Sequence, residues 1–508
     1  MSSSRTRVWN IFRKDVRHHW REIAASVALV AAMAWSDISE WMHPDSMVSA
    51  PFAAFVLQLV VPLVPISWMF LIVRAVQGES LVGDRQFWVT RPYDWRSLAA
   101  AKIAFVLVFV NLPLFLADVL LLAKAGFSPL SYVGSLFWLQ LVWILLLFLP
   151  TAALATVTRS IAQMLLALLF IVLFVIGMSA IRPAIPNSGY DSDTGGVYFF
   201  LMIAAAFTVI LLQYSRRKTT QSRLLLVGLA VATVVVLVAT PYRTLIERHY
   251  PLANGTSLPL QLKLLPPEQN KITYAGRQMA VHFAFDVSGL PKDSFVVLNG
   301  RMLKLTNAQG AHWDSDWQDA RMPIYSDQPS VNVDFYMNKE DYDRMKSSSV
   351  HAHLLLAFTR FHDANQRTLA IPSGEFFIPD FGFCAVGVSW TTFTCRTPLR
   401  TADVLMSYEM AASTCPLGKN ETRAAPGEVG RQFLQGEHTV EPGISPVHVK
   451  QFNLYDWGYS DRANHVCPGT PVTISNPEEA GRSRLELQFD NFSLADYQPS
   501  SGVIQVRR

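Results

Sequence analysis

The sequence predicts a multi-domain membrane protein, in which an all-α bundle of about seven transmembrane helices precedes an all-β, sandwich-like extracytoplasmic domain. Of the 508 residues, 51% are hydrophobic and only 16% are charged, and the length exceeds that of one ordinary domain. The hydrophobic residues are concentrated before Pro241. Basic residues and cysteines are also distributed unevenly, which assigns different parts of the chain to different sides of a membrane.

The helical half is predicted from its apolar runs, because a hydrocarbon core of about 30 Å needs roughly 20 helical residues to cross. The runs are Ile23–Trp35, Pro51–Val73, Leu98–Leu122, Tyr132–Val157, Ile161–Ile181, Val197–Gln213 and Leu224–Thr240. The first run is short, and its alternative is a buried or interfacial helix that does not cross. It is bracketed by tryptophans, which favour membrane surfaces.

The basic residues predict the orientation, since Lys and Arg stay on the cytoplasmic side during insertion. They are frequent in the leader, after the second run and after the sixth run. The intervening gaps, 36–50, 123–131 and 182–196, contain only Lys124 and Arg182. The pattern predicts a multi-pass protein of the inner (plasma) membrane, with a cytoplasmic N-terminus and everything beyond Thr240 outside. It also accounts for the net charge of +4 without any nucleic-acid partner.

The leader, residues 1–21, precedes a bundle predicted over 22–240, a linker over 241–257 and a β-rich domain over 258–508. A helix in the leader would place several apolar side chains along one side and basic ones along the other. Such a segment lies flat at the lipid surface; the alternative is a charged topology signal. The apolar side comprises Trp9, Ile11, Phe12, Val16 and Trp20.

All four cysteines, Cys384, Cys395, Cys415 and Cys467, follow the helical half. An oxidising compartment permits disulfides, and four cysteines allow three pairings. The pairing by proximity in sequence is Cys384–Cys395 with Cys415–Cys467. No C-x-x-C pair is present, so no metal site and no cofactor are predicted.

Strand patterns dominate after Leu258. Apolar residues alternate with others at Val281–Val287, Val331–Phe335 and Leu485–Phe489, as in half-buried strands. Asn299-Gly300 predicts a two-residue hairpin turn, and Lys339–Met345 predicts a short helix.

Few residues suggest chemistry. Asp118 is the main acid at depth within the apolar runs, where acids often mark pathways or pairings, although it could also reach the interface. Pairs such as His351 and His353 would share a strand face and could bind metal, but surface histidines commonly do not. No motif for a catalytic nucleophile or metalloprotease occurs, so an enzyme is not predicted.

The gap after the second run is long, aromatic and charged with both signs. It extends from Gly78 to Leu98 and includes Phe87 and Trp88, which would be costly to expose to water. They therefore pack on the bundle or contact a partner. Pro92 ends one helical piece, and another begins near Trp95.

This segment resembles the region between the second and third membrane helices of ABC-2 type transporter permeases. The matching residues are Glu79, Gly83, Pro92, Arg96 and Lys102, and the leader segment 11–15 resembles the amphipathic N-terminal helix of those permeases. The resemblance covers about the first 240 residues. The chain departs from the family in two ways. It has a seventh predicted crossing, whereas six crossings with the C-terminus inside are usual, and it has a large outer domain.

The resemblance implies that the loop contacts a separate cytoplasmic ABC ATPase. The coupling residues would be Glu79, Gly83, Phe87, Trp88, Arg91, Pro92 and Arg96. The chain has no phosphate-binding G-x-x-x-x-G-K-[ST] motif, so a partner must hydrolyse ATP. The expected function is that of a permease-like export subunit in the lipid bilayer, working as a homo- or heterodimer. The alternative is a membrane-anchored β-sandwich that binds a ligand or partner without transport.

Overall fold

The structure is a computed structural model that describes residues 4–35, 51–78, 94–181, 192–239, 242–254, 257–266, 271–275, 278–346, 348–386, 392–409, 429–436, 443–453 and 469–496. The chain forms two compact units that are interleaved along the sequence. The helical unit comprises Met1–Thr240, Gly374–Ala402 and Gly436–Asn453, and the β unit comprises Pro241–Ser373, Asp403–Gln435 and Leu454–Arg508.

The helical unit contains ten α-helices among its described residues. They are α1 Ser4–His18, α2 Trp20–Trp35, α3 Pro51–Gln77, α4 Trp95–Val106, α5 Leu112–Lys124, α6 Val133–Trp143, α7 Leu149–Val157, α8 Ile161–Ile181, α9 Ser192–Arg216 and α10 Thr219–Ala239.

Six described helical stretches are long and apolar enough to cross a membrane: Leu59–Gln77, Trp95–Lys124, Pro129–Val157, Ile161–Met178, Val197–Arg216 and Thr219–Val236. The predicted apolar helical half is therefore confirmed at this level. Helix α2, at 16 residues, is roughly 24 Å long from the helical rise and is shorter than these six. The number seven stays a prediction.

Two long helices contain a single π-helical turn, Leu107–Asn111 between α4 and α5 and Ile144–Phe148 between α6 and α7. Each turn is followed two residues later by a proline, Pro113 or Pro150. Proline has no N–H and its ring crowds the preceding turn, so the wider π turn accommodates it without ending the helix.

Helix α2 packs along α3 and α5 by one face, whose buried members recur at helical spacing: Ile23, Ser26, Val30, Met33 and Ala34. Ser26 Oγ lies 3.1 Å from Ser67 Oγ of α3. At the far end of α2, the Lys124 ammonium donates to the carbonyl of Ala34 at 2.8 Å. The helix thus remains in contact with its neighbours from end to end.

The β unit contains thirteen described strands. They are β1 Gln261–Leu264, β2 Lys271–Ala275, β3 Gln278–Ser288, β4 Ser294–Asn307, β5 His312–Asp314, β6 Gln318–Tyr325, β7 Ser330–Asn338, β8 Val350–His362, β9 Arg367–Ala370, β13 Val404–Glu409, β14 Val429–Leu434, β16 Pro471–Ser475 and β17 Glu478–Phe492. Short helices α11 Tyr242–His249 and α12 Lys339–Met345 accompany them, and the second confirms the predicted helix.

All pairings between these strands are antiparallel. One sheet contains β1-β3-β2 with β7 beside β3, another contains β17-β8-β4-β5 with β6 beside β4, and a third has the order β14-β13-β16-β9. The first two contribute to one apolar core, in which Phe283 and Phe335 of one sheet are buried with Leu354 and Phe358 of the other. The β-rich second half is thereby confirmed.

The predicted hairpin turn at Asn299-Gly300 is wrong. Both residues lie inside β4, whose pairing with β6 and β8 shifts register between Leu298 and Gly300, as a β-bulge does. A Cβ on Gly300 would lie 1.9 Å from Cζ2 of Trp317. The glycine is therefore required by the close approach of this ring, which a pattern of turn residues does not reveal.

A small four-stranded sheet belongs to the helical unit. Its strands, β10 Phe376–Ile378, β11 Gly382–Val386, β12 Thr392–Pro398 and β15 Val447–Asn453, are antiparallel in the order β10-β11-β12-β15. Cys384 and Cys395 are directly paired residues of β11 and β12, and a disulfide joins them. This pair was predicted and is confirmed, whereas Cys415 and Cys467 lie outside the described residues.

Candidate functional site

The predicted coupling loop lies almost wholly outside the described residues: Glu79, Gly83, Phe87, Trp88, Arg91 and Pro92 belong to the segment that is not described. Arg96 is described. It lies exposed in the first turn of α4, with its guanidinium carbon 5.5 Å from the ring centroid of Trp95. The described residues that flank this loop are the end of α3 and the start of α4, and the candidate site lies around these two helices.

A buried ion pair connects the leader to the helix that follows the loop. Lys102 Nζ of α4 donates to Asp15 Oδ2 of α1 at 2.7 Å, and the two residues are 6% and 3% exposed. A charge buried in an apolar setting requires a partner, since leaving it alone costs several kcal/mol. The pair therefore fixes the leader helix to one position along α4.

Aromatic packing extends this contact. The ring of Phe12 lies 5.8 Å from Phe109 and 6.5 Å from Phe105, centroid to centroid, and Ile11 is buried on the same side. The opposite side of α1 exposes Arg13 and other basic residues. The leader is thus an amphipathic helix whose apolar side faces α4, while Trp9 and Trp20 of the predicted apolar set are exposed.

The end of α3 lies beside this contact. Arg74 Nη2 is 3.7 Å from Glu22 Oε1, and His19 Nδ1 is 3.9 Å from the same oxygen. Burial, with a smaller contribution from His18, lowers the pKa of His19. A Cβ on Gly78, the last described residue before the loop, would lie 3.7 Å from His19 Nε2. The described residue that precedes the loop therefore lies beside the α1–α2 junction, and the helix that carries Lys102 is joined to α1 by the ion pair with Asp15.

A second polar group lies within the long helices. Gln140 Nε2 of α6 donates to Asp118 Oδ2 of α5 at 3.0 Å, and Asn111 Nδ2 donates to Gln140 Oε1 at 3.1 Å. Asp118 has no exposed surface, although it is only roughly 9 Å along the axis from Lys124. Its Oδ1 and the Oδ1 of Asn111 have no hydrogen-bond partner among the described residues.

This Asn111–Gln140–Asp118 chain can orient α5 against α6 and offers two free acceptor oxygens. Of its members, Asp118 was singled out from the sequence. Asn111 and Gln140 were not, since uncharged amides in an apolar run are common. That these two side chains meet where the helices contact each other follows only from the helix packing.

Two histidines of β8 lie beside carboxylates of β17. His351 Nδ1 lies 2.7 Å from Asp490 Oδ1, and His353 Nε2 lies 3.5 Å from Glu486 Oε2. Within the described ranges, no group of three or more His, Cys, Asp or Glu side chains is arranged to hold a metal ion.

Comparison with known proteins gives little guidance. No protein-family profile matches the sequence, and no curated protein matches it. Similar solved structures include red sea bream transglutaminase, at 8% identity over 50% of this chain and 35% of that chain, with a TM-score of 0.13. Another is the C-terminal globular domain of an oligosaccharyltransferase from Pyrococcus abyssi, at 10% identity over 44% of this chain and 49% of that chain, with a TM-score of 0.12. This chain thus spans less than half the length of either structure, and similarity this low supports no argument about fold or activity.

Proposed function

We propose that this chain is a permease-like transmembrane subunit of an ABC-2 type export system and relies on a separate ATPase subunit. One observation carries the proposal: the buried Asp15–Lys102 pair, 2.7 Å long, joins the leader to α4. Helix α4 begins within the segment that resembles the coupling region of ABC-2 permeases, and it carries the matching residues Arg96 and Lys102. A displacement of that segment by the ATPase would therefore move the leader helix and the long helices together.

The proposed topology has seven crossings, with α2 as the first. Contacts at the helix ends support it. Gln77 Nε2 donates to Thr158 Oγ1 at 3.0 Å and Arg223 donates to the carbonyl of Val157 at 2.9 Å. These four residues lie in gaps or run ends assigned to the cytoplasm. The contact of Lys124 with Ala34 joins a gap assigned to the outside to the outer end of the first run.

The β unit is proposed to be an extracytoplasmic sandwich, in which the β3- and β4-containing sheets face each other. Their shared core, with Phe285 and Leu298 both fully buried, supports this arrangement, because facing sheets interdigitate apolar side chains. In the proposed system this unit contacts cargo or an envelope partner and does no chemistry of its own.

Coupling is tested by purifying the full chain from its native membranes and measuring co-purifying ATP hydrolysis. We expect Phe87→Ala/Trp88→Ala to remove the ATPase and its activity, whereas Trp138→Ala, an exposed aromatic of α6, retains both. Hydrolysis that is absent from the unsubstituted protein, or indifferent to the double substitution, would favour the anchored binding protein instead.

Topology is tested separately with reporters fused to either terminus. The proposal expects a cytoplasm-active reporter to work at the N-terminus and to fail at the C-terminus. Activity at the C-terminus would rule out seven crossings while leaving the coupling experiment unaffected.

A further inference from the structure

The small sheet of the helical unit packs on the helices at the end marked by Lys124. The ring of Phe383 in β11 lies 5.4 Å from that of Phe127, which follows α5. Gly126 has φ +87°, and a Cβ there would lie 3.1 Å from Cε2 of Phe383. The turn between two membrane-length helices is therefore shaped to receive this strand.

A second contact lies deeper. Trp143 Nε1 of α6 donates to the carbonyl of Gly443 at 3.2 Å, and Val447 and Leu399 are buried in the same core as the helices. Side chains of a helix point back toward its N-terminus, so the Trp143 indole is directed toward the Phe127 end. The strand β15 is thus anchored where it begins.

Cross-strand pairing shows which side chains share the sheet face that meets the helices. Phe377 pairs with Phe383, Phe383 with Arg396, and Arg396 with Val449. Directly paired residues of antiparallel strands project from the same face, and Val447 projects with Val449 because strand side chains alternate. The row Phe377-Phe383-Arg396-Val449 therefore faces the side on which Phe383 and Val447 contact the helices.

The two ends of this row are not covered by the helices. Phe377 is 51% exposed and Val449 is 36% exposed, although the residues between them, Phe383 and Arg396, are partly covered. Arg396 between them holds its guanidinium carbon 4.9 Å from the Phe383 ring centroid and pairs with Glu375 at 2.6 Å. The uncovered part of the face thus presents the apolar side chains of Phe377 and Val449 beside the exposed amide of Gln451, and the Arg396 cation is neutralised.

The same level of the helical unit exposes other large apolar side chains. Leu130, in the turn that opens the next long helix, is 84% exposed, and Trp35 at the end of α2 is 85% exposed with the Lys124 ammonium 5.8 Å from its ring. Exposed tryptophans beside a lysine at a helix end are typical of the headgroup region. Phe377 lies near this level, because its ring is 5.0 Å from that of Phe383, which in turn contacts Phe127.

We propose that this sheet face contacts the membrane surface. Phe377 and Val449 enter the headgroup–acyl boundary of the leaflet at the Lys124 end of the helices. Amphipathic surface elements bind membranes in this way through a modest apolar area. The sheet then anchors the segments leading to the β unit against the bilayer. The proposal rests on the helices crossing a bilayer and does not depend on coupling to an ATPase.

The test uses the full chain in phosphatidylcholine vesicles, with photoreactive p-benzoylphenylalanine replacing one residue at a time. Replacement at Phe377 should give, after irradiation, a peptide whose mass has increased by one lipid, as should replacement at Leu130. Replacement at Phe376, next in the chain but buried on the opposite face, is the matched control and should give none.

A second position keeps the test decisive if replacement at Phe377 disturbs folding, which loss of the Cys384–Cys395 disulfide would report. Replacement at Val449 should then give the same lipid adduct. The proposal is overturned if Leu130 gives adducts while both sheet positions give none. It is equally overturned if those positions crosslink only to a second copy of the chain.

Discussion

The ammonium of Lys102 lies 2.7 Å from the carboxylate of Asp15, 87 positions earlier in the chain, and both side chains are buried. Among the described residues, this pair joins the leader helix α1 to α4, the helix that begins within the predicted coupling loop. Its stability is therefore the first property to measure.

We expect Lys102→Met to lower the free energy of unfolding by about 3–5 kcal/mol, because Asp15 would be left buried without a counter-charge. Adding Asp15→Asn should restore much of that loss. Tryptophan fluorescence during denaturant unfolding in detergent would measure both. Arg13→Gln, on the exposed side of α1, is the control. Equal stability of the Lys102 variant and the control would contradict the buried pair.

The bridging amide of Gln140 gives a second prediction. Gln140→Leu should cost about 1–3 kcal/mol, because Asp118 and Asn111 both lose their partner in an apolar setting. Replacing all three residues by leucine should recover stability, since removing every polar group leaves none unsatisfied. Thermal unfolding in one lipid nanodisc preparation compares the variants. A triple variant less stable than Gln140→Leu would show that the three polar side chains stabilise the fold by more than satisfying each other's hydrogen bonds.

The Cys384–Cys395 disulfide closes a short loop in the small sheet, with the two cysteines 11 positions apart. Closing such a loop stabilises by about 2–4 kcal/mol in the chain-entropy account. Cys384→Ser/Cys395→Ser should therefore speed amide exchange in β11 and β12 and leave α8 unchanged. Exchange measured by mass spectrometry would decide it; uniform acceleration through the helices would instead make the disulfide a global constraint.

The predictions from sequence succeeded where a local pattern carries the information. Apolar runs define the long helices, alternation defines strands such as β3 and β7, and proximity suggested the Cys384–Cys395 pair. What they missed depends on partners far apart in the chain. That β10, β11, β12 and β15 pack with the helices follows from contacts such as Phe127–Phe383, which no local pattern encodes.

The hydrogen bonds among Asn111, Gln140 and Asp118 and the incorrect hairpin prediction illustrate the same limit. Asn111 and Gln140 carry no signal until α5 and α6 are placed side by side. Asn299-Gly300 has the composition of a hairpin turn, yet long pairing of β4 with both β6 and β8 overrides it. The loop residues Glu79 to Pro92 lie outside the described chain, so their coupling role stays a prediction.

The glycine of that bulge is itself testable. Gly300→Ala should destabilise the β unit by about 1–3 kcal/mol, because the new methyl group would overlap the Trp317 ring. Gly374→Ala, in a segment of the helical unit where a Cβ would meet nothing within 4 Å, is the control. Trp317→Ala should make the Gly300 substitution tolerable. Thermal unfolding measures all three, and an unchanged midpoint for Gly300→Ala would mean that the ring moves aside freely.

The cluster of His19, Glu22 and Arg74, which lies beside the last described residue before the predicted coupling loop, should respond to pH through His19. Burial, followed in size by the neighbouring His18, lowers the pKa of His19, while Glu22 and Asp15 partly oppose this and Arg74 adds to it. A histidine whose native pKa is lowered favours folding when neutral. Its contribution is present above the ordinary value near 6.5 and is lost as pH falls through the native pKa.

The unfolding midpoint of the unsubstituted protein should therefore decrease as the pH is lowered from about 7 to about 5, and His19→Gln should flatten that dependence. His18→Gln, which removes an exposed imidazole, should leave most of it. If His19→Gln and the unsubstituted protein lose stability in parallel on acidification, the pH response originates elsewhere and the cluster does not sense protons.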